Sequence, residues 1–242
     1  MENNSNKGYI KFWGVRGSNP TPDKDKMHYG GDTSCIEIRT KNNDLIILDM
    51  GTGLRNLGKK IIEDQSYGDE INIFLSHYHW DHIMGFFYFA PLYDSRFTIN
   101  IYGYNAKTSI ETLSEALTNK NFWPVDKDMY EAKINFIEMP KSSNEQKSIA
   151  VNKANIYYSI HPHPNGTNSF KVATDNKEIV YITDCEHPDG SLNENVVKIA
   201  TECDFLIHDS HFTIQDLSSH KGWGHSSWKQ GVDVAITSRA RQ

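Results

Sequence analysis

The chain has 242 residues and a formal charge of −6 at pH 7, a length that suits one α/β domain. Apolar residues make up 38% and charged residues 23%, which excludes a disordered, collagen-like or low-complexity chain. The longest apolar run, residues 83–93, falls short of the ~20 residues of a membrane span, and the polar N-terminus lacks a signal-peptide core. The acidic balance argues against a duplex-DNA partner. Cys35, Cys185 and Cys203 are odd in number and far apart, so they do not form a disulfide framework and a cytoplasmic location is expected.

Residues 9–13 alternate as a strand does. Residues 35–39 and 45–49 read as two strands joined by the polar turn Lys41-Asn42-Asn43-Asp44. Helical spacing follows over 54–62. Residues 71–75 form a short apolar run suited to a buried strand, and 82–89 read as a helix whose aromatic residues belong to the core. Next come a strand at 98–102, a helix at 109–117, and strands at 134–137, 154–160, 170–172 and 179–182. A helix at 193–200, a strand at 205–207 and a helix at 227–236 complete the series. Stretches 118–128 and 141–147 read as polar surface loops. No linker interrupts the chain, so 1–242 is expected to be one domain. Interleaved helices and hairpin-like strands predict a layered α/β fold with mixed sheets.

Histidine is the informative residue, at 11 positions. Directly after the strand at 71–75 stands Ser76-His77-Tyr78-His79-Trp80-Asp81-His82. In an extended segment His77 and His79 point to one side, because side chains alternate, and can share one cation. Asp81 and His82 fall where the chain turns toward a helix and can face a second. Imidazole and carboxylate without thiolate suit zinc, iron or manganese.

These residues resemble the HxHxDH signature of the metallo-β-lactamase superfamily, which implies a four-layer αβ/βα sandwich with mixed sheets. Further segments resemble its motifs in the expected order. Leu45-Ile-Ile-Leu-Asp49 is similar to a strand ending in an aspartate that supports the metal loop through hydrogen bonds. His163-Pro-Asn-Gly166 resembles the motif supplying the last ligand of the first metal. Thr183-Asp184-Cys185 resembles the motif whose carboxylate bridges both metals. His161 competes with His163, and alternation leaves its ring partly exposed. The resemblance implies two divalent ions, zinc first, with manganese and iron as alternatives.

Phe12-Trp-Gly-Val-Arg-Gly-Ser18 and Tyr29-Gly-Gly-Asp-Thr-Ser-Cys35 resemble a phosphodiesterase branch near ribonuclease Z and bacterial and phage cyclic-nucleotide phosphodiesterases. Leu206-Ile-His-Asp209-Ser and Gly224-His225-Ser226-Ser227 resemble two ribonuclease Z motifs. On that resemblance His225 is the general acid and Asp209 its orienter, and Asp81, with the metals, completes the catalytic set. His187, His208, His211 and His220 are read as surface or metal-neighbouring residues.

The resemblance implies phosphodiester hydrolysis by a hydroxide bridging two ions, with a small cyclic nucleotide as substrate and a homodimer as assembly. No basic, Gly-rich arm of the ribonuclease Z kind interrupts the chain. A transfer-RNA 3′ endonuclease, an acyl hydrolase of lactonase or β-lactamase type, and an inactive metal- or nucleotide-binding protein are the alternatives. The family continues past its last helix into a strand and a terminal histidine ligand. Here no histidine follows His225, so the expectation is a truncated chain, a second metal with fewer protein ligands, or a substitute such as His211 or His220, and a strand edge is expected to stay uncovered.

Overall fold

Unbroken apolar runs become central strands and alternating runs become half-buried ones. In the computed structural model, which describes residues 7–105, 107–121, 123–125, 127–140 and 147–242, these strands sort into two sheets. The chain divides into two compact units, the first comprising Met1–Tyr104 and Thr108–Met139, the second Asn105–Lys107 and Pro140–Gln242.

The first unit carries a six-stranded sheet in sequence order. Its strands are β1 (Tyr9–Gly14), β2 (Cys35–Arg39), β3 (Leu45–Leu48), β4 (Glu70–Phe74), β5 (Thr98–Gly103) and β6 (Lys133–Glu138). β1, β2 and β3 pair antiparallel, and β3 to β6 pair parallel. Helix α1 (Leu54–Glu63) makes the crossover from β3 to β4 and buries Leu54, Leu57 and Ile61. They pack with Ile71 and Ile73 of β4 and Ile99 and Ile101 of β5 in one hydrophobic core. On the other face an asparagine ladder crosses the parallel strands. Asn100 donates to Asn72 Oδ1 at 3.1 Å, and Asn135 donates to Asn100 Oδ1 at 2.8 Å. The buried Glu37 of β2 is a structural carboxylate: it accepts from Tyr9, Trp13 and Tyr67, as a buried charge requires.

The helix expected at 82–89 is broken. A short α2 (Trp80–Ile83) gives way to a 3-10 turn at Phe86–Tyr88. The cause is long-range. Gly85 donates its N–H to Met50 O at 2.9 Å, and a Cβ there would lie 2.0 Å from Gly51 O. Phe86 and Phe89 are buried in the core while Tyr88 is exposed. Helix α3 (Ile110–Leu117) starts at Ser109, whose side chain caps it by accepting from Thr112 N. In the stretch read as a polar loop at 118–128, Trp123 packs against Phe87 and Tyr88, with ring centroids 4.9 and 5.1 Å away.

The second unit carries a five-stranded sheet in the order β11-β10-β9-β8-β7. Its strands are β7 (Lys147–Val151), β8 (Ala154–His161), β9 (Thr167–Thr174), β10 (Lys177–Ile182) and β11 (Phe205–His208). Only β10 and β11 pair parallel. Asp175 and Asn176, at φ 53° and 61°, close the β9–β10 hairpin as a two-residue turn with both φ positive requires. Helix α4 (Glu194–Ala200) crosses from β10 to β11, followed by α5 (Ile214–Leu217) and α6 (Trp228–Ser238). A core of Val180, Ile182, Val196, Ile199 and Val234 joins the sheet to α4 and α6.

β7 begins inside the stretch read as a loop at 141–147; residues 141–146 lie outside the described residues. The outer edge of β11 is not bare. Leu206 N–H bonds Gln242 O, and Arg241 N–H bonds Cys203 O, both at 2.9 Å. Among the described residues no helix is long and apolar enough to cross a membrane.

Candidate metal centre

In the first unit the site grows from the ends of two adjacent parallel strands. Asp49 ends the β3 run in the left-handed region, at φ 62°, which aspartate tolerates better than most residues. Its carboxylate is fully buried. Oδ1 accepts Ser76 N–H at 2.8 Å, while Oδ2 accepts Ser76 Oγ–H at 2.9 Å and His82 Nδ1–H at 2.8 Å. Asp49 therefore fixes the whole turn after β4.

Two donor pairs stand on that turn. His77 Nε2 and His79 Nδ1 are 2.9 Å apart, a few tenths of an ångström inside the ~3.3 Å between two nitrogens bound tetrahedrally to one zinc ion. His82 Nε2 and Asp81 Oδ2 are 3.4 Å apart, and Asp81 Oδ2 also accepts Ser18 N–H at 2.7 Å. With its Nδ1–H given to Asp49, His82 carries its lone pair on Nε2. This carboxylate–histidine arrangement fixes ligand tautomers in metal sites.

In the second unit Asp184 follows β10 at φ 50° and is buried; Thr183 Oγ1 donates to its Oδ2. His163, on the turn after β8, donates Nδ1–H to Gly224 O at 2.8 Å, which leaves its lone pair on Nε2, 3.8 Å from Asp184 Oδ1. His225 Nε2 lies at the same 3.8 Å from that oxygen, and its Nδ1 is 3.1 Å from Asp209 Oδ2. The Asp209 carboxylate is held in turn. Oδ2 accepts Cys185 N–H and Ser226 N–H at 3.1 Å, and Oδ1 accepts His211 N–H at 2.9 Å. The first unit thus brings together Asp49, His77, His79, Asp81 and His82. The second brings together His163, Asp184, Asp209 and His225. Imidazole and carboxylate donors with tautomers fixed by protein acceptors fit divalent ions of the zinc, manganese or iron kind.

His161 is buried, not partly exposed. Its Nε2–H donates to Thr183 O at 3.0 Å and its Nδ1 accepts from Ser169 Oγ at 2.8 Å. Both nitrogens are engaged inside the sheet, and burial lowers its pKa to about 4. His163 is the residue of the two whose Nε2 faces Asp184.

His187 and His208 are not surface residues. They stack at 5.5 Å with Cys185 beside them. Asn193 N–H donates to His187 Nδ1 at 3.0 Å, so the hydrogen sits on Nε2, toward the Cys185 sulfur at 3.9 Å. A ring so held does not offer Nε2 to a metal, and burial lowers its pKa to about 4. Of the two histidines weighed as substitute ligands, His211 stacks on His225 with centroids 4.2 Å apart, and His220 stacks on Phe212 at 4.6 Å.

Sequence reasoning missed Glu186. Its Oε1 accepts Gly222 N–H at 2.8 Å and its Oε2 accepts Gly224 N–H at 2.7 Å. Both glycines have φ of 83°, and this Gly-x-Gly spacing was the available signal. A Cβ on Gly224 would lie 2.0 Å from His163 Nδ1, so only glycine lets this loop meet the ligand.

Two mixed sheets with flanking helices form the αβ/βα sandwich of the metallo-β-lactamase fold. The short form of human tRNase Z (ELAC1) is similar over 96% of this chain and 89% of its own, at 19% identity and a TM-score of 0.69. The metallo-β-lactamase fold protein YhfI from Bacillus subtilis is similar over 97% and 83%, at 19% identity and 0.69. A diphosphatase from the PhnP family is similar over 96% and 83%, at 16% identity and 0.65. No curated protein sequence is close enough to count as a relative. Residues 33–227 match the sequence model of the family described as Anti-Pycsar protein Apyc1, and the chain belongs to that family.

Proposed function

We propose that the chain is a metal-dependent cyclic-nucleotide phosphodiesterase. His77, His79 and His163 would hold one ion and Asp81 and His82 the second, with Asp184 as the carboxylate available to both. Zinc is the first choice, with manganese and iron as alternatives. When bound, the ions lower the pKa of water and neutralise charge on the phosphate. Hydrolysis adds one water across one P–O bond, and the departing ribose oxygen needs a proton. His225 supplies it from Nε2. Asp209, 3.1 Å from Nδ1, orients the ring and stabilises its cationic form.

The Asp209–His225 pair carries this reading. It stands beside the candidate ligand Asp184, with His225 Nε2 and His163 Nε2 at equal distances from the same carboxylate oxygen, which places a proton donor where an alkoxide would leave. The chain's charge of −6 favours a small substrate over a long polyanion. A transfer-RNA 3′ endonuclease is the second reading, favoured by the likeness in fold to tRNase Z. A homodimer is the proposed assembly, checked by sedimentation velocity.

The deciding experiment incubates purified protein with 3′,5′-cyclic nucleotides and with precursor transfer RNA in parallel, beside Asp184→Ala. Nucleotide monophosphate formed by the wild type and not by the variant is expected. Cleavage of the RNA alone, or full activity in Asp184→Ala, overturns the reading. Stoichiometric nucleotide binding without turnover makes the chain a binding protein instead.

A further inference from the structure

Within the second unit a cavity of 420 Å3 opens beside His163, between the turn after β8 and the loop after β10. Pro162, Pro164 and Pro188 form much of its wall, with His163, His187 and Glu186. That volume lies in the ~300–1,000 Å3 range of small-molecule sites.

Its rim is built before any ligand arrives. Glu186 N–H bonds Pro162 O at 3.3 Å. The Glu186 carboxylate clasps Gly222 and Gly224 at 2.8 and 2.7 Å, and His163 Nδ1–H bonds Gly224 O at 2.8 Å. His187 is locked by Asn193 N–H at 3.0 Å. Proline rings lose no rotamer freedom when a flat ligand packs on them, so little ordering cost opposes binding.

The chemistry of the lining selects what fits. Among the described residues it contains a carboxylate and neither lysine nor arginine, which disfavours a phosphate in this space. Each Glu186 oxygen accepts one backbone N–H and keeps capacity for a second donor. A flat neutral ring with an N–H edge meets all of these conditions. His163 forms one wall, and its Nε2 faces Asp184 at 3.8 Å. His163 is thus shared by the cavity wall and the candidate ligand set.

We infer that this cavity is the nucleobase seat: it holds the purine or pyrimidine ring of a nucleotide between the proline faces, with Glu186 accepting from a base N–H. The inference rests on the cyclic-nucleotide reading for its substrate, but base binding can be measured without turnover.

The test uses Pro188→Phe, which fills the cavity from its exposed rim, and Pro188→Ala, which leaves it open. Guanine offers two adjacent N–H groups to a carboxylate, so the probes are cyclic GMP, abasic ribose 3′,5′-cyclic phosphate, and guanosine followed by saturation-transfer NMR. Wild type should prefer cyclic GMP to the abasic analogue in KM. Pro188→Phe should raise KM for cyclic GMP by about tenfold, the low end for one misfit in an apolar specificity pocket, and remove the guanosine signal. Pro188→Ala, which removes one apolar face but keeps the space, should retain that signal at reduced strength. Equal KM for cyclic GMP and the abasic analogue in the wild type overturns the seat. So does guanosine binding that survives Pro188→Phe. If the wild type hydrolyses no cyclic nucleotide, the phosphodiesterase reading falls, and the guanosine signal alone decides the seat.

Discussion

Asp49→Asn isolates the role of a residue that touches neither metal nor substrate. Asparagine keeps the shape and tolerates the φ of 62°. Its amide cannot satisfy all three donors that Asp49 accepts. Ser76 N–H at 2.8 Å is a backbone donor that cannot turn away, so the amide oxygen must face it. The amide nitrogen then faces His82 Nδ1, 2.8 Å from the replaced oxygen. Two N–H groups now oppose each other, and the ring relieves this by moving its hydrogen to Nε2. That nitrogen, 3.4 Å from Asp81 Oδ2, then donates to Asp81 instead of binding an ion. Loss of such a supporting bond costs about 10–100-fold in metal affinity. A lost hydrogen bond to a charged group costs about 2 kcal/mol, which for a chain of this size lowers Tm by about 4–8 °C. Zinc competition against a chelating dye and a thermal melt read both effects. The expected pattern is a weakened second ion with the first retained. Unchanged affinity for both ions in a folded Asp49→Asn would refute the tautomer argument.

His225→Ala should lower kcat for cyclic nucleotides by about 10²–10⁴-fold. The loss should be much smaller for bis-(p-nitrophenyl) phosphate, whose leaving group departs without a proton; equal losses on both substrates would remove His225 from proton transfer. Gly224→Ala places a Cβ 2.0 Å from His163 Nδ1 at a φ of 83°, so it should displace that ring and reduce the zinc bound per chain by elemental analysis. The metal-free protein should lose stability in mild acid. His161 and His187 are held neutral by burial, with pKa values near 4, while the unfolded chain takes up the same protons near 6.5. The unfolded state thus binds more protons as pH falls. The stabilisation is complete above about 6.5 and is lost as pH drops toward 4. Urea midpoints that stay constant from pH 7 to 5 would contradict this.

The parts legible in the sequence are local. His77, His79, Asp81 and His82 are contiguous, follow an apolar strand, and depend on alternation that any extended chain obeys. The unbroken apolar run of β4 is equally local, and it announced a buried strand. What stayed hidden depends on partners distant in the chain. The helix expected at 82–89 stops because Gly85 lies against Gly51, a contact no periodicity encodes. The choice between His161 and His163 turns on Ser169, Thr183 and Gly224. Trp123 hides an aromatic contact within a polar stretch. Glu186 looks like an ordinary surface acid until the fold brings two glycines 36 and 38 residues away onto its carboxylate.

The asparagine ladder bears on how the first sheet finds its alignment. Ile71-Asn72-Ile73, Ile99-Asn100-Ile101 and Ile134-Asn135-Phe136 are near copies laid side by side. A slip of one residue would set an amide against an aliphatic side chain and strand its polar atoms, so each Asn acts as a registration pin. The same pin is indifferent to which molecule supplies the next strand. Stacked amides on matched parallel strands are the device that holds cross-β fibrils together, and β6 is the edge strand of this sheet. Lys133 and Glu138, both exposed at its ends, place charge beside the motif, as gatekeepers do. Neutralising that pair would turn the molecule's own alignment code into a template for other copies of itself.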